Sequence, residues 1–188
     1  MFKKLALITM AILTAAVLLT GCGGSSSGGS FGGDILRDKA ATKKAFETMK
    51  EKGGTPLKIF QSVNFDSDFI RFTRQDPKKP ENVDEFMWNT NQGWRGPSPV
   101  KLRGDGNLED NLWDAEKVNW EAIPAFVANV EKKAKEEGIE KAKIDGIQVY
   151  FNVRQQKLSF STTVKGERKD ASVSGDVQTG EITSFKIR

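Results

Sequence analysis

The stretch IDGIQVYFNVRQQKLSFSTTV, residues 144–164, decides the fold. Ile147, Val149, Phe151 and Val153 fall on every second position, and after Gln155-Gln156 the alternation resumes with Leu158, Phe160, Thr162 and Val164. A period of two puts these side chains on one side of an extended chain. The stretch therefore predicts two strands, Ile144–Val153 and Leu158–Val164, each with one buried face. Downstream, Ala171–Val177 and Ile182–Ile187 read as two more strands, with turns at Gly166–Lys169 and Thr179-Gly180. Upstream, Ile123, Phe126, Val127, Val130 and Ala134 recur at helical spacing. They predict a helix over Trp120–Glu137, with Asn119 as its cap, Pro124 in its first turn and Gly138 at its end.

The same order of elements recurs nearer the N-terminus. Leu36, Ala40, Phe46 and Met49 share one face of an expected helix over Asp34–Lys52, capped by Asp34 and stopped at Gly53-Gly54. Strands are expected at Leu57–Phe65, Asp68–Gln75, Val83–Thr90 and Ser98–Arg103, with turns at Asp76–Pro80 and Asn91–Gly93. Gly53 and Gly138 lie 85 residues apart, Phe72 and Phe160 lie 88 apart, and Gly93 and Gly180 lie 87 apart. A near-constant offset predicts an internal duplication. The expected fold class is α+β: two similar halves, 34–103 and 120–188, each a helix packed on an antiparallel sheet of about four strands. An acidic connector, 104–119, separates them. A half of about 70 residues has a thin core on its own, so the two sheets are expected to join or pack together.

The first residues read as an address. Lys3 and Lys4 precede an uncharged apolar run, Leu5–Leu19, shorter than the ~20 residues a membrane-spanning helix needs. The run ends in Leu19-Thr20-Gly21-Cys22, which resembles the lipobox of bacterial lipoproteins. That resemblance implies that Leu19, Thr20 and Gly21 are read by the signal peptidase and that residues 1–21 are removed. It also implies that Cys22 carries the lipid. Several acyl chains on one cysteine make anchoring stable where a single chain does not. Residues 22–33 are rich in Gly and Ser and suit a flexible tether. Position 23 is Gly rather than Asp, which in a diderm bacterium implies sorting to the outer membrane. Loss of Lys3 and Lys4 leaves 27 basic and 25 acidic residues, a net charge of +2 in place of +4. With no concentrated Lys/Arg face, nucleic acid is not an expected partner.

The closing segment Ala171–Phe185, a strand, a Thr-Gly turn and a last strand after a helix, is similar to the final hairpin of PepSY-like domains. Asp84–Trp94 is its counterpart in the first half. The resemblance spans most of residues 33–188 in order of elements. It implies a small exported or envelope module of a kind proposed to inhibit proteases or bind ligands, and it defines no catalytic residues.

Composition narrows the chemistry further. The chain has no His, which excludes a Ser-His-Asp triad, a Cys-His dyad and an HExxH zinc site. One Cys excludes an internal disulfide and a CxxC pair. The densest acidic run, Gly104–Glu116, holds Asp105, Glu109, Asp110, Asp114 and Glu116 without a Lys or Arg. Its residues Asp105, Glu109 and Asp110 form a weak Ca²⁺ candidate, but the spacing does not match an EF-hand loop, and a solvated connector is the simpler reading. Arg103-Gly104-Asp105 is too short a motif to carry a function. Trp88, Trp94, Trp113 and Trp120 cluster between the first sheet and the second helix and are the expected partner surface, with core packing as the competing reading.

These features favour a lipid-anchored, non-enzymatic binding or assembly module of the cell envelope. No cofactor is expected beyond the covalent lipid, and the expected partners are the membrane and an envelope protein or peptide. The alternatives are an inhibitor of an exogenous hydrolase, such as a protease or lysozyme, and a carboxylate-dependent glycan hydrolase. The last requires two carboxylates facing each other across a cleft.

Overall fold

A computed structural model describes residues 31–104 and 106–188. Leu19, Thr20, Gly21, Cys22 and Asp105 therefore lie outside the described residues, and so does most of the expected tether. The end of that tether differs from expectation. Phe31 is buried and packs on Trp88 with ring centroids 4.4 Å apart. One aromatic residue in a Gly/Ser run is enough to fasten the run's last residues to the core.

Helix α1 spans Lys39–Gly53. Its cap is Asp38, not Asp34. The Asp38 carboxylate accepts from the backbone N–H groups of Ala40 and Ala41 at 2.8 and 3.1 Å. Asp34 closes a separate turn, accepting from Leu36 N–H at 2.9 Å. Strands β1 (Lys58–Asp66), β2 (Phe69–Gln75), β3 (Val83–Asn89) and β4 (Gly93–Pro99) follow as an antiparallel meander. β4 begins five residues before the expected strand. The Asn89 side chain accepts from the N–H groups of Asn91 and Gln92, which tightens the turn and starts the return strand at once. β4 is an edge strand, so Pro97 and Pro99 break no ladder on its open side.

The connector is only partly solvated. Residues Leu112–Asp114 form β5, which pairs with the first part of β1. Trp113, Ala115 and Val118 are buried. β5 is stitched to β1 at Gln61, a residue at φ +61, whose carbonyl accepts from the Trp113 indole at 3.1 Å. One turn of 3-10 helix, Trp120–Ala122, leads into α2 (Ile123–Glu136), with Pro124 in the first turn as expected. Asn119 does not cap it through its side chain, which instead donates to the carbonyl of Gln178 at 2.9 Å.

The decisive stretch then divides. β6 (Lys143–Ile144) and β7 (Ile147–Asn152) are separated at Asp145-Gly146, and both pair with β8 (Lys157–Lys165). Gly146 sits at φ +79, and a Cβ there would lie 2.7 Å from the carbonyl oxygen of Phe65. Only glycine fits where β7 enters the sheet. β9 (Ala171–Gly175) and β10 (Ile182–Ile187) complete the second meander.

Among the described residues the fold is α+β, with two α-helices and one large antiparallel sheet. The strand order is β10-β9-β8-β7-β1-β2-β3-β4, with β5 beside β1 and β6 beside β8. The two meanders join through β1 and β7, where Val63 faces Val149 and Phe65 faces Ile147. Both helices lie on one side of this sheet. Phe46 of α1 stacks on Trp120 at 4.9 Å, Trp120 meets Phe65 of β1 at 5.5 Å, and Phe126 of α2 stacks on Phe160 of β8 at 5.4 Å. All of these belong to one buried cluster, so the molecule has a single core spanning both meanders.

Candidate functional site: the uncovered face of the sheet

The side chains that alternate with the core residues point away from the helices, and among the described residues no helix covers them. Register alone brings eight of them into a row across all eight main strands. Ser184, Ser174, Ser161, Gln148, Asn64, Arg71, Met87 and Arg95 are successive cross-strand partners. Seven interstrand steps give a row about 33 Å long. Neighbouring positions add Tyr150, Ser62 and Ser159 on one side, and Thr163 and Ser172 on the other.

The two ends of this face differ in chemistry. On β2 and β3 the polar groups satisfy one another: Arg71 donates to Glu85 at 2.6 Å through Nε and pairs with it through Nη2. At the seam, Gln148 bridges Ser62 and Asn64, with both contacts at 3.2 Å. On β7–β10 the hydroxyls of Tyr150, Ser159, Ser161, Ser172 and Ser174 have no hydrogen-bond partner among the described residues. Tyr150 is 42% exposed and is the one tyrosine of the chain.

Three open recesses mark the face. One of about 310 Å³ at the β1–β7 seam is lined by Asn64, Asp66, Asp145, Gln148, Ser161 and Thr163. Another of about 290 Å³ lies by Ser62, Arg71, Thr73 and Glu85. A third, also about 290 Å³, lies by Tyr150, Asn152, Lys157, Ser159, Ser161 and Ser174. The carboxylates at the seam are already engaged. Asp145 pairs with Lys165 at 2.8 Å, an interaction that raises the Lys165 pKa, and Asp66 accepts from the N–H of Ser67 at 2.7 Å. The hydrogen-bonded carboxylates Glu121, Glu137 and Asp176 are held below the usual range: Glu121 by Lys39, Glu137 by Lys133, and Asp176 by the N–H groups of Gln178 and Thr179.

The sequence-predicted sites fall elsewhere. Trp88, Trp113 and Trp120 are each 3% exposed, and Trp94 packs partly buried against the core. Their size and the donors they satisfy inside the molecule explain this: Trp113 bonds to Gln61 O and Trp120 to Ala115 O. The expected tryptophan platform is therefore largely core. Of the calcium candidate, Glu109 accepts from Gln75 Nε2 at 2.8 Å, and Asp110 is exposed. Among the described residues no three His, Cys, Asp or Glu side chains are placed to hold a metal ion.

The uncovered face was legible in principle. The positions between the core residues of β7, β8 and β9 are Gln148, Tyr150, Asn152, Ser159, Ser161, Thr163, Ser172 and Ser174. A solvated face usually carries Lys and Glu, as the exposed faces of both helices here do. A run of hydroxyls and amides in their place is the signal.

No protein-family model matches the chain, and no curated protein matches it. A similar solved structure is a crystal structure of a "putative lipoprotein" from Clostridium difficile 630. It superposes with a TM-score of 0.50 at 12% identity, over 78% of this chain and 91% of that one. At that identity the likeness is one of fold. Among the described residues, no helix is long and apolar enough to cross a membrane.

Proposed function

We propose that this chain is a lipid-anchored lipoprotein of the cell envelope whose folded part is a non-enzymatic binding module, and that the uncovered sheet face is its recognition surface. The hydroxyls of β7–β9 that have no partner among the described residues carry the recognition half of this reading. Polar groups without internal hydrogen bonds, on a face that no other element covers among the described residues, are available to a ligand or partner. The lipobox-like Leu19–Cys22 and the Gly/Ser run after it support the anchor, and the fold shared with the clostridial chain is consistent with it. The helix–meander order of the two segments supports descent from a duplicated PepSY-like unit. Gly23 favours outer-membrane sorting if the cell is a diderm.

Two measurements test this reading. Mass spectrometry of the mature protein should find an acylated Cys22 at the N-terminus; retention of residues 1–21 or an unmodified Cys22 refutes the anchor. A photo-crosslinking residue placed at Ser161 should trap a discrete envelope component, whereas the same residue at Lys132 on the helix side should not. Equal trapping from both positions refutes the assignment of the face.

A further inference from the structure

The recess of about 290 Å³ on β7–β10 differs from the other two in having no carboxylate among its lining residues. Tyr150, Asn152, Ser159, Ser161 and Ser174 supply a phenol, an amide and three hydroxyls, and Lys157 stands at its rim as the one charge. One exposed lysine, with no second cation among the lining residues, makes a weak anion site. Hydroxyls donate and accept, and four of the hydroxyl groups here, including the Tyr150 phenol, have no partner among the described residues. The Tyr150 ring adds an apolar plate in the middle of a polar field. A ligand that fits this lining is neutral, carries many hydroxyls of its own, and has a C–H face to lay on an aromatic ring.

We propose that this recess is a binding site for a neutral saccharide, held by stacking on Tyr150 and by hydrogen bonds to Ser159, Ser161, Ser174 and Asn152. The proposal rests on the recognition face argued above and narrows it to one ligand class and one end of the row. A folded protein docking on the same face would engage the whole row, including Arg71, Met87 and Arg95. A saccharide would touch only the β7–β10 end.

Because the chain has a single tyrosine, labelling tyrosine with ¹³C in the full-length protein gives one ring signal that needs no further assignment. The sample is held in a sugar-free polyoxyethylene detergent and titrated with chitotetraose and with maltotetraose. The ring signal should shift saturably with at least one of them, with a dissociation constant below about 10 mM. Ser174→Val, which keeps the strand and removes the hydroxyl, should weaken binding several-fold, and Arg95→Ala at the other end of the row should leave it unchanged. Calorimetry on Tyr150→Leu should show about a tenfold loss. All three variants replace side chains outside the core, and circular dichroism checks that they are folded. The proposal is overturned by a ring signal that moves with neither sugar, by one that moves only with an acidic heparin hexasaccharide, or by equal weakening in Ser174→Val and Arg95→Ala. If the sugars fail while Ser161 still crosslinks to an envelope protein, the ligand class falls and the recognition face stands.

Discussion

The two sides of the one sheet are built to opposite rules. On the helix side Ile59, Val63 and Phe65 of β1, Ile147, Val149 and Phe151 of β7, and Phe160 and Val164 of β8 are buried, and even Thr162, the polar residue in that row, gives its hydroxyl to Gly146 O at 2.6 Å. On the other side the same strands present side chains whose polar atoms largely lack internal partners. Period-two alternation thus separates two tasks within one strand: odd positions of β7 stabilise, and even positions face outward. Substitutions on the two sides should therefore differ sharply in what they cost.

The largest effect is expected at Phe126, which is fully buried and stacked on Phe160. Phe126→Ala should destabilise by about 3–5 kcal/mol in urea unfolding, the usual range for a buried aromatic. A cost under about 1 kcal/mol would mean that α2 does not cover the second meander as described. Next is Gly180, at φ +75 in the β9–β10 turn. A Cβ there would come within 2.6 Å of Ala122 O and 2.8 Å of Phe126 N. Gly180→Ala should cost about 1–3 kcal/mol, because it adds both a backbone clash and an unfavourable dihedral.

The same turn gives a pH effect. Asp176 accepts from Gln178 N–H at 2.8 Å and Thr179 N–H at 3.0 Å, and these bonds hold its carboxyl below the ordinary range. A depressed folded-state pKa contributes stability above the unfolded value of about 3.9 and loses it as pH falls through the folded value. Asp176→Asn should therefore flatten the acid limb of the stability curve below about pH 4. Solvent screening at this half-exposed site keeps its cost at neutral pH within about 1 kcal/mol. The smallest effect belongs to the uncovered face. The double variant Ser161→Ala, Ser172→Ala should stay within about 0.5 kcal/mol of the parent in the same urea assay. A larger loss would make those hydroxyls part of the fold.

Much of the architecture was legible because the core residues are periodic. Ile147–Phe151 and Leu158–Val164 alternate cleanly, and α2 carries five apolar residues at helical spacing. What escaped was decided by contacts distant in sequence. β5 forms because Trp113 can reach Gln61 O, 52 residues away, and no local pattern announces a three-residue strand. The start of α1 moved because Asp34 and Asp38 are equally good caps by type, and the Asp34 carboxylate closes its own turn first. The tryptophans misled because their clustering in sequence is the same whether they line a surface or fill a core. The uncovered face was missed for the opposite reason. Its residues are small and neutral, and attention to charged or aromatic clusters passes over them.

The central claim is that this face is exposed in the isolated protein and occupied in the cell envelope. Maleimide labelling of Ser161→Cys compares the two states directly. Fast labelling of the purified protein and marked protection in isolated, permeabilised envelopes are expected, with Lys132→Cys on the helix side labelled equally in both. Equally fast labelling of Ser161→Cys in both preparations would contradict that claim.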